Sequence, residues 1–157
     1  LSALFDVYPD ARVIMTHRDP AKVVPSAASL ISSVRSLYSD YEEPARSGKE
    51  QLDFWKTSFD RFMADRAQLN KEDQIIDLHF NDFVRDQMAC VDKIYSYFNW
   101  SLDDTSRSRM KSFLVSNPKG KHGSHEYSLE DFDLSKDEVS KAFQNYYSFL
   151  EKMNYEK

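Results

Sequence analysis

Apolar positions recur along this chain with two periods, and the switch between them marks the elements. Leu52, Trp55, Phe59, Phe62 and Met63 repeat at helical spacing and predict an amphipathic helix over 50–69. Its other side carries Lys56, Asp60, Asp65 and Arg66, which read as a solvated face. Met88, Val91, Ile94, Tyr95 and Phe98 predict a helix over 86–98, and Met110, Phe113 and Leu114 one over 103–116. Ser135-Lys-Asp-Glu138 is a capping box that opens a last helix through Val139, Phe143, Tyr146, Tyr147 and Leu150. Between these, Arg12 to Thr16 reads as a short strand whose Val-Ile-Met centre is a continuous apolar run, as expected for a strand covered on both faces, and Gln74 to Leu78 reads as a second short strand. Leu1 to Val7 reads as a helix end and 8–11 as a turn. Asp19 and Pro20 fit an N-cap and first helical position for a helix to about Tyr38, with Pro25 loosening its early turns. Segments 41–49 and 117–124 read as loops.

Strands alternating with helices, without polar alternation in the strands, predict an α/β fold with a parallel sheet. Two strands alone do not make a stable sheet. The chain also opens on Leu1 inside a helix-like stretch, so a C-terminal piece of a larger domain is expected, with 1–157 forming part of one domain.

Composition narrows the function classes. With 157 residues, 41% hydrophobic and 14% aromatic, the chain is expected to fold around a core. A formal charge of −5 argues against a nucleic-acid partner but leaves room for one anion in a local basic pocket. The single Cys90 reads as a buried thiol and points to a cytoplasmic or other reducing compartment. No stretch reaches the ~20 apolar residues of a membrane span.

Three places could carry chemistry. In VIMTHRDPAKVVPSAASL an apolar run ends in His17 and Arg18, and Ser26 follows eight residues later. Ligands of open parallel sheets bind beyond the strands' carboxyl ends, and a guanidinium fork matches phosphate oxygens. The plainer alternative pairs Arg18 with Asp19 or another carboxylate and leaves Ser26 as a small helix residue. At the end of the second strand, Phe80 offers a ring to a nucleobase or serves as a core aromatic, and His79 fits a structural hydrogen bond better than catalysis. In Lys119-Gly120-Lys121-His122-Gly123 two cations flank a glycine, which lets backbone approach an anion; the alternative is a solvated loop. No metal is expected, because His122 and His125 lack a supporting ligand cluster.

At these residues the chain resembles the C-terminal part of the sulfotransferases that use 3′-phosphoadenosine 5′-phosphosulfate (PAPS). YPDARVIMTHRDPAKVVPSAASL is similar to the family's strand, Arg-Asp-Pro and helix, where the Arg and a Ser eight positions later hold the cofactor's 3′-phosphate. The resemblance assigns those roles to Arg18 and Ser26. IIDLHFNDFVRDQMACVDKIYSYFNW resembles the family's strand–Tyr-Glu-Asp-Leu–helix segment, with Phe80 where Tyr usually lies beside the adenine and Asn81 in place of Glu. NPKGKHGSHEYSLEDFDLSKDEV resembles the late Lys/Arg-Gly loop and the Tyr-Ser-Leu-Glu-Asp-Phe-Gly-Leu segment. There Lys119, Gly120 and Lys121 would close over the 3′-phosphate, and Asp133 replaces the common Gly.

The resemblance implies a P-loop-NTPase-like parallel sheet flanked by helices, of which this chain is a mostly helical C-terminal part with two short strands. It implies sulfuryl transfer from PAPS to a hydroxyl or amine on a small-molecule, carbohydrate or lipid acceptor. The family's N-terminal phosphosulfate-binding loop and its upstream general base have no counterpart among these residues, so no catalytic residue is assigned. The competing readings are a non-catalytic sulfotransferase-like binding module and a kinase-like phosphoryl transferase. Self-association through the sheet edge and uncovered apolar faces is expected.

Overall fold

The computed structural model describes residues 1–41, 43–118, 121 and 126–152. In chain order the elements are α1 (Ser2–Val7), β1 (Val13–His17), α2 (Pro20–Arg35), α3 (Pro44–Leu69), β2 (Ile75–His79), α4 (Phe80–Arg85), α5 (Gln87–Tyr97), α6 (Asp104–Ser116), α7 (Lys136–Ala142) and α8 (Gln144–Lys152). Short 3-10 turns cover Glu72–Gln74 and Glu130–Phe132. The chain divides into two compact units, one of Leu1, Arg18–Asn70 and Glu126–Lys157, the other of Ser2–His17 and Lys71–His125.

The second unit holds the strands. β1 and β2 pair in parallel, from Val13 opposite Ile75 to His17 opposite His79. Both begin one residue later than the sequence suggests, at Val13 and Ile75; for β2 this is because Gln74 belongs to the preceding turn and uses its side chain elsewhere. Its buried Nε2 donates to the carbonyls of Pro9 (3.0 Å) and Ala11 (2.9 Å), which fixes the approach to β1. Ile76, Leu78, Cys90 and Phe98 form the core here, with Ile94 against it. β1 is less covered than expected: Ile14 is 45% exposed. α5 starts on the Asp86 cap, whose carboxylate accepts from Ala89 N at 2.9 Å. It ends with Asn99 left-handed (φ 54°), Trp100 N donating to Tyr95 O at 2.8 Å, and the two rings edge to face at 5.9 Å. The segment after β2 is a further short helix, α4, where the sequence suggested only a strand end. α6 forms as expected on its Asp103 cap, yet Phe113 is 66% exposed, so its apolar side buries little.

The first unit is helical. α2 runs through Pro25 without a break and buries Val24 and Ala28 completely. α3 begins six residues earlier than its periodicity shows, at Pro44, which occupies a first-turn position after Glu43. Gly48 disguises this start, and it is needed there: a Cβ on it would lie 2.5 Å from the Phe132 carbonyl oxygen. At the α2–α3 corner the Arg35 guanidinium donates to the buried Ser47 hydroxyl (3.0 Å) and to Glu50. Arg46 and Arg35 together hold the Glu50 carboxyl below its usual range.

The supposed solvated face of α3 needs correction. Lys56 and Asp60 do pair in the open at 2.8 Å, but Arg66 is only 7% exposed. Its guanidinium lies over the rings of Phe149 (5.5 Å) and Phe62 (5.9 Å), a cation–π setting that lets a charged head sit beside the core. Phe59 stacks on Tyr146 at 4.1 Å. The expected last helix is two, α7 and α8, interrupted at the buried Phe143. The capping box at Ser135 and Glu138 is formed in full.

Asp133 closes the turn before α7 in the left-handed region (φ 54°), with Leu134 N donating to Leu129 O at 3.1 Å. A Cβ is disfavoured there. Asp133→Gly is therefore expected to raise stability by ~0.5–1 kcal/mol, an increase in melting temperature readable by calorimetry. A lower melting temperature would mean that the Asp133 side chain compensates its backbone.

Candidate functional site

Two residues, Arg18 and Asp19, link the end of β1 to the start of α2. The residue before them, His17, is completely buried, with Nε2 2.8 Å from Asp77 Oδ1 on the neighbouring strand. That pair secures the carboxyl end of β1. Arg18 itself is half-buried. Asp19 caps α2: its Oδ1 accepts from Ala21 N at 2.9 Å and from the Tyr147 hydroxyl at 2.7 Å, which joins α8 to the start of α2. Ser26 is half-buried on α2, six residues past Pro20 and so ~9 Å along the axis. The first unit thus places a guanidinium at the entry to a capped helix and a hydroxyl less than two turns into it.

The capping carboxylate has a consequence for anions. A helix N-terminus attracts negative charge through its unpaired N–H groups. Here Asp19 already takes that role, so the helix end is not itself open to an anion near this link. The Tyr147 hydroxyl, by donating to Asp19, draws part of the carboxylate's charge away.

The second unit carries the other candidates. Phe80 is half-buried at the first position of α4, directly after β2. His79 precedes it, and burial pushes its imidazole below the ordinary 6.5, ahead of the opposing effect of Asp82. The folded state therefore binds fewer protons at His79 than the unfolded chain over the interval just below pH 6.5. Stability contributed there is present above that pH and lost as the pH falls through it. His79→Gln should flatten this part of the stability profile in urea titrations at stepped pH, and an unchanged profile would remove His79 as its source.

Lys121 is exposed, and its Nζ donates to Ser116 O (2.9 Å) and Asn117 Oδ1 (3.1 Å) at the end of α6. A cation on the last carbonyls of a helix is favourable in itself. Lys119 and Gly120, with His122 and His125, lie outside the described residues. Among the described residues no three His, Cys, Asp or Glu side chains group to hold a metal, and no helix is long and apolar enough to cross a membrane.

Sequence reasoning missed Tyr147 as a partner of Asp19 and Asp77 as a partner of His17. Tyr147 lies within the aromatic pattern that marks the last helix, and a hydrogen bond spanning 128 residues leaves no trace in periodicity. Asp77 was the one polar residue inside an apolar run, and that was the signal available.

Comparison with known proteins gives these positions a setting. A model of the Sulfotransferase family matches residues 1–104. The crystal structure of sulfotransferase STF9 from Mycobacterium avium aligns with 99% of this chain at TM-score 0.85 and 25% identity. That of sulfotransferase STF1 from Mycobacterium tuberculosis H37Rv aligns with 92% at TM-score 0.73 and 28% identity. The alignments cover only 39% and 36% of those two chains, so this chain spans well under half the length of either. No curated protein matches the sequence. The α/β class, P-loop-NTPase-like with a parallel strand pair and flanking helices, agrees with these neighbours. With well over half of its residues matched by the family model, the chain belongs to the sulfotransferase family.

Proposed function

We propose that residues 1–157 are the C-terminal part of a single sulfotransferase-like domain and supply the 3′-phosphate and adenine side of a PAPS site. PAPS, when bound, is the donor of the sulfuryl group that passes to a hydroxyl or amine of the acceptor. The observation that carries this reading is the placement of Arg18: half-buried, immediately after a strand end secured by the His17–Asp77 pair, and before a capped helix that carries Ser26.

The donor set fits a phosphate. Arg18 offers paired N–H donors and a fixed charge, and Ser26 a hydroxyl. Both are partly accessible, so neither is locked inside the core. Phe80 offers a ring face to an adenine, without the hydroxyl that a Tyr would add. Lys119, Gly120 and Lys121 would contribute charge and close backbone approach, and for Lys121 a phosphate would compete with Ser116 and Asn117. These groups bind and orient; no group here is assigned as the general base. Positioning alone can lower a barrier by several kcal/mol, on the order of what oriented intramolecular reactions show.

Calorimetric titration of the wild-type chain tests the reading. Adenosine 3′,5′-bisphosphate should bind at least about tenfold more tightly than 5′-AMP, the difference being one phosphate on charged donors. Equal affinities would reject the assignment. The position of Lys121 on the end of α6 favours a second reading, a non-catalytic binding module, and binding of neither nucleotide would support it.

A further inference from the structure

A cavity of about 640 Å³ opens beside the first half of α2, between the 127–130 segment, α7 and α8. That volume is within the range of small-molecule sites, roughly 300–1,000 Å³. Its walls are fixed from behind. Leu129 and Pro25 are buried, and the Tyr147–Asp19 hydrogen bond joins two of the walls. Its charges argue against a nucleotide: Lys22 and Lys136 face Asp19, Glu130 and Glu151, so the lining is not positive. Neutral hydrogen-bonding groups are dense instead, with Ser128, Ser140, Ser148 and Gln144 all contributing. The Ser128 Oγ accepts from Asp131 N at 3.3 Å, which directs its own proton elsewhere. Tyr127 and Tyr147 add aromatic surface, both half-buried.

Neighbouring hydroxyls are recognised by this kind of surface. Carboxylates accept from them, amides and hydroxyls both donate and accept, and a tyrosine ring covers an apolar C–H face. We infer that the cavity between α2, α7 and α8 is a binding site for an uncharged polyhydroxylated ligand of the sugar type. Arg18, Ser26 and Phe80 are absent from this lining, although Asp19, Ala21, Lys22 and Pro25, from the stretch between the first two, contribute to it.

Amide chemical-shift mapping of the full chain with maltose, cellobiose and N-acetylglucosamine tests it. At least one of these should shift residues 127–130 and 144–151, with saturable binding on the order of 1 mM. The exposed-residue double variant Gln144→Ala/Glu151→Ala should weaken that binding about tenfold while leaving adenosine 3′,5′-bisphosphate affinity unchanged. No shift with any of the three sugars overturns the inference. So does displacement of the sugar by the bisphosphate, which would make the cavity part of the nucleotide site, or a stronger response to trialanine, which would make it a peptide site.

Discussion

Replacing Arg18 by alanine should abolish the preference for adenosine 3′,5′-bisphosphate over 5′-AMP. A hydrogen bond to a charged group contributes ~1.5–3 kcal/mol, so loss of a paired guanidinium contact corresponds to roughly a 10- to 100-fold weaker hold on the 3′-phosphate. 5′-AMP, which lacks that phosphate, should be almost indifferent to the change. Arg18→Lys should restore part of the preference, because an ammonium keeps the charge and loses the fork. Ser26→Ala should have a smaller effect in the same direction. Melting curves on each variant separate lost binding from lost structure, since Arg18 is half-buried and makes contacts of its own. An Arg18→Ala chain that still discriminates between the two nucleotides would place the 3′-phosphate elsewhere.

The second large effect is on stability. In an exposed helix, glycine to alanine stabilises by about 0.8–1 kcal/mol. Gly48→Ala should do the opposite. The new Cβ would sit 2.5 Å from the Phe132 carbonyl oxygen and 2.8 Å from its Cβ, and the nearer atom is backbone that no rotamer change can move. Either α3 shifts away from the 130–132 turn or the turn unpacks, and overpacking of this kind costs ~1–3 kcal/mol. At about 2–4 °C per kcal/mol for a chain of this size, the melting temperature should fall by roughly 2–12 °C. A rise on alanine substitution would show that α3 and this turn do not meet closely. The result bears on the first unit because the turn continues from the 127–130 segment that lines the cavity.

Much of the fold was legible because its causes are local. Asp19, Asp86, Asp103 and Ser135 announce helix starts by residue type, and all four side chains cap as their chemistry suggests. The parallel pairing followed from apolar runs separated by helices. What stayed hidden depends on contacts distant in sequence. The first five residues of α3 include Ser47 and Gly48, residues of loops, and are helical because Gly48 packs on Phe132 and Ser47 Oγ accepts a hydrogen bond from Arg35. Arg66 looked solvated because a single-residue polarity carries no information about the rings of Phe62 and Phe149 that its guanidinium meets. The break at Phe143 sits within an unbroken aromatic pattern, and that ring is buried like that of its helical neighbour Tyr146, so periodicity gives no sign of it. For the proposed site, the order along the chain nominates Arg18, Ser26 and Phe80. The His17–Asp77 and Asp19–Tyr147 pairs that secure the region were not visible in that order, because each joins segments far apart in sequence.

The central claim is that Arg18 and Ser26 hold a 3′-phosphate. Amide chemical-shift mapping tests it most directly, by comparing the wild-type chain saturated with adenosine 3′,5′-bisphosphate and with 5′-AMP. The account predicts that the difference between the two maps concentrates between Arg18 and Ser26, at the link into α2 and its first turns. Identical maps, or a difference confined to residues outside 18–26, would contradict it.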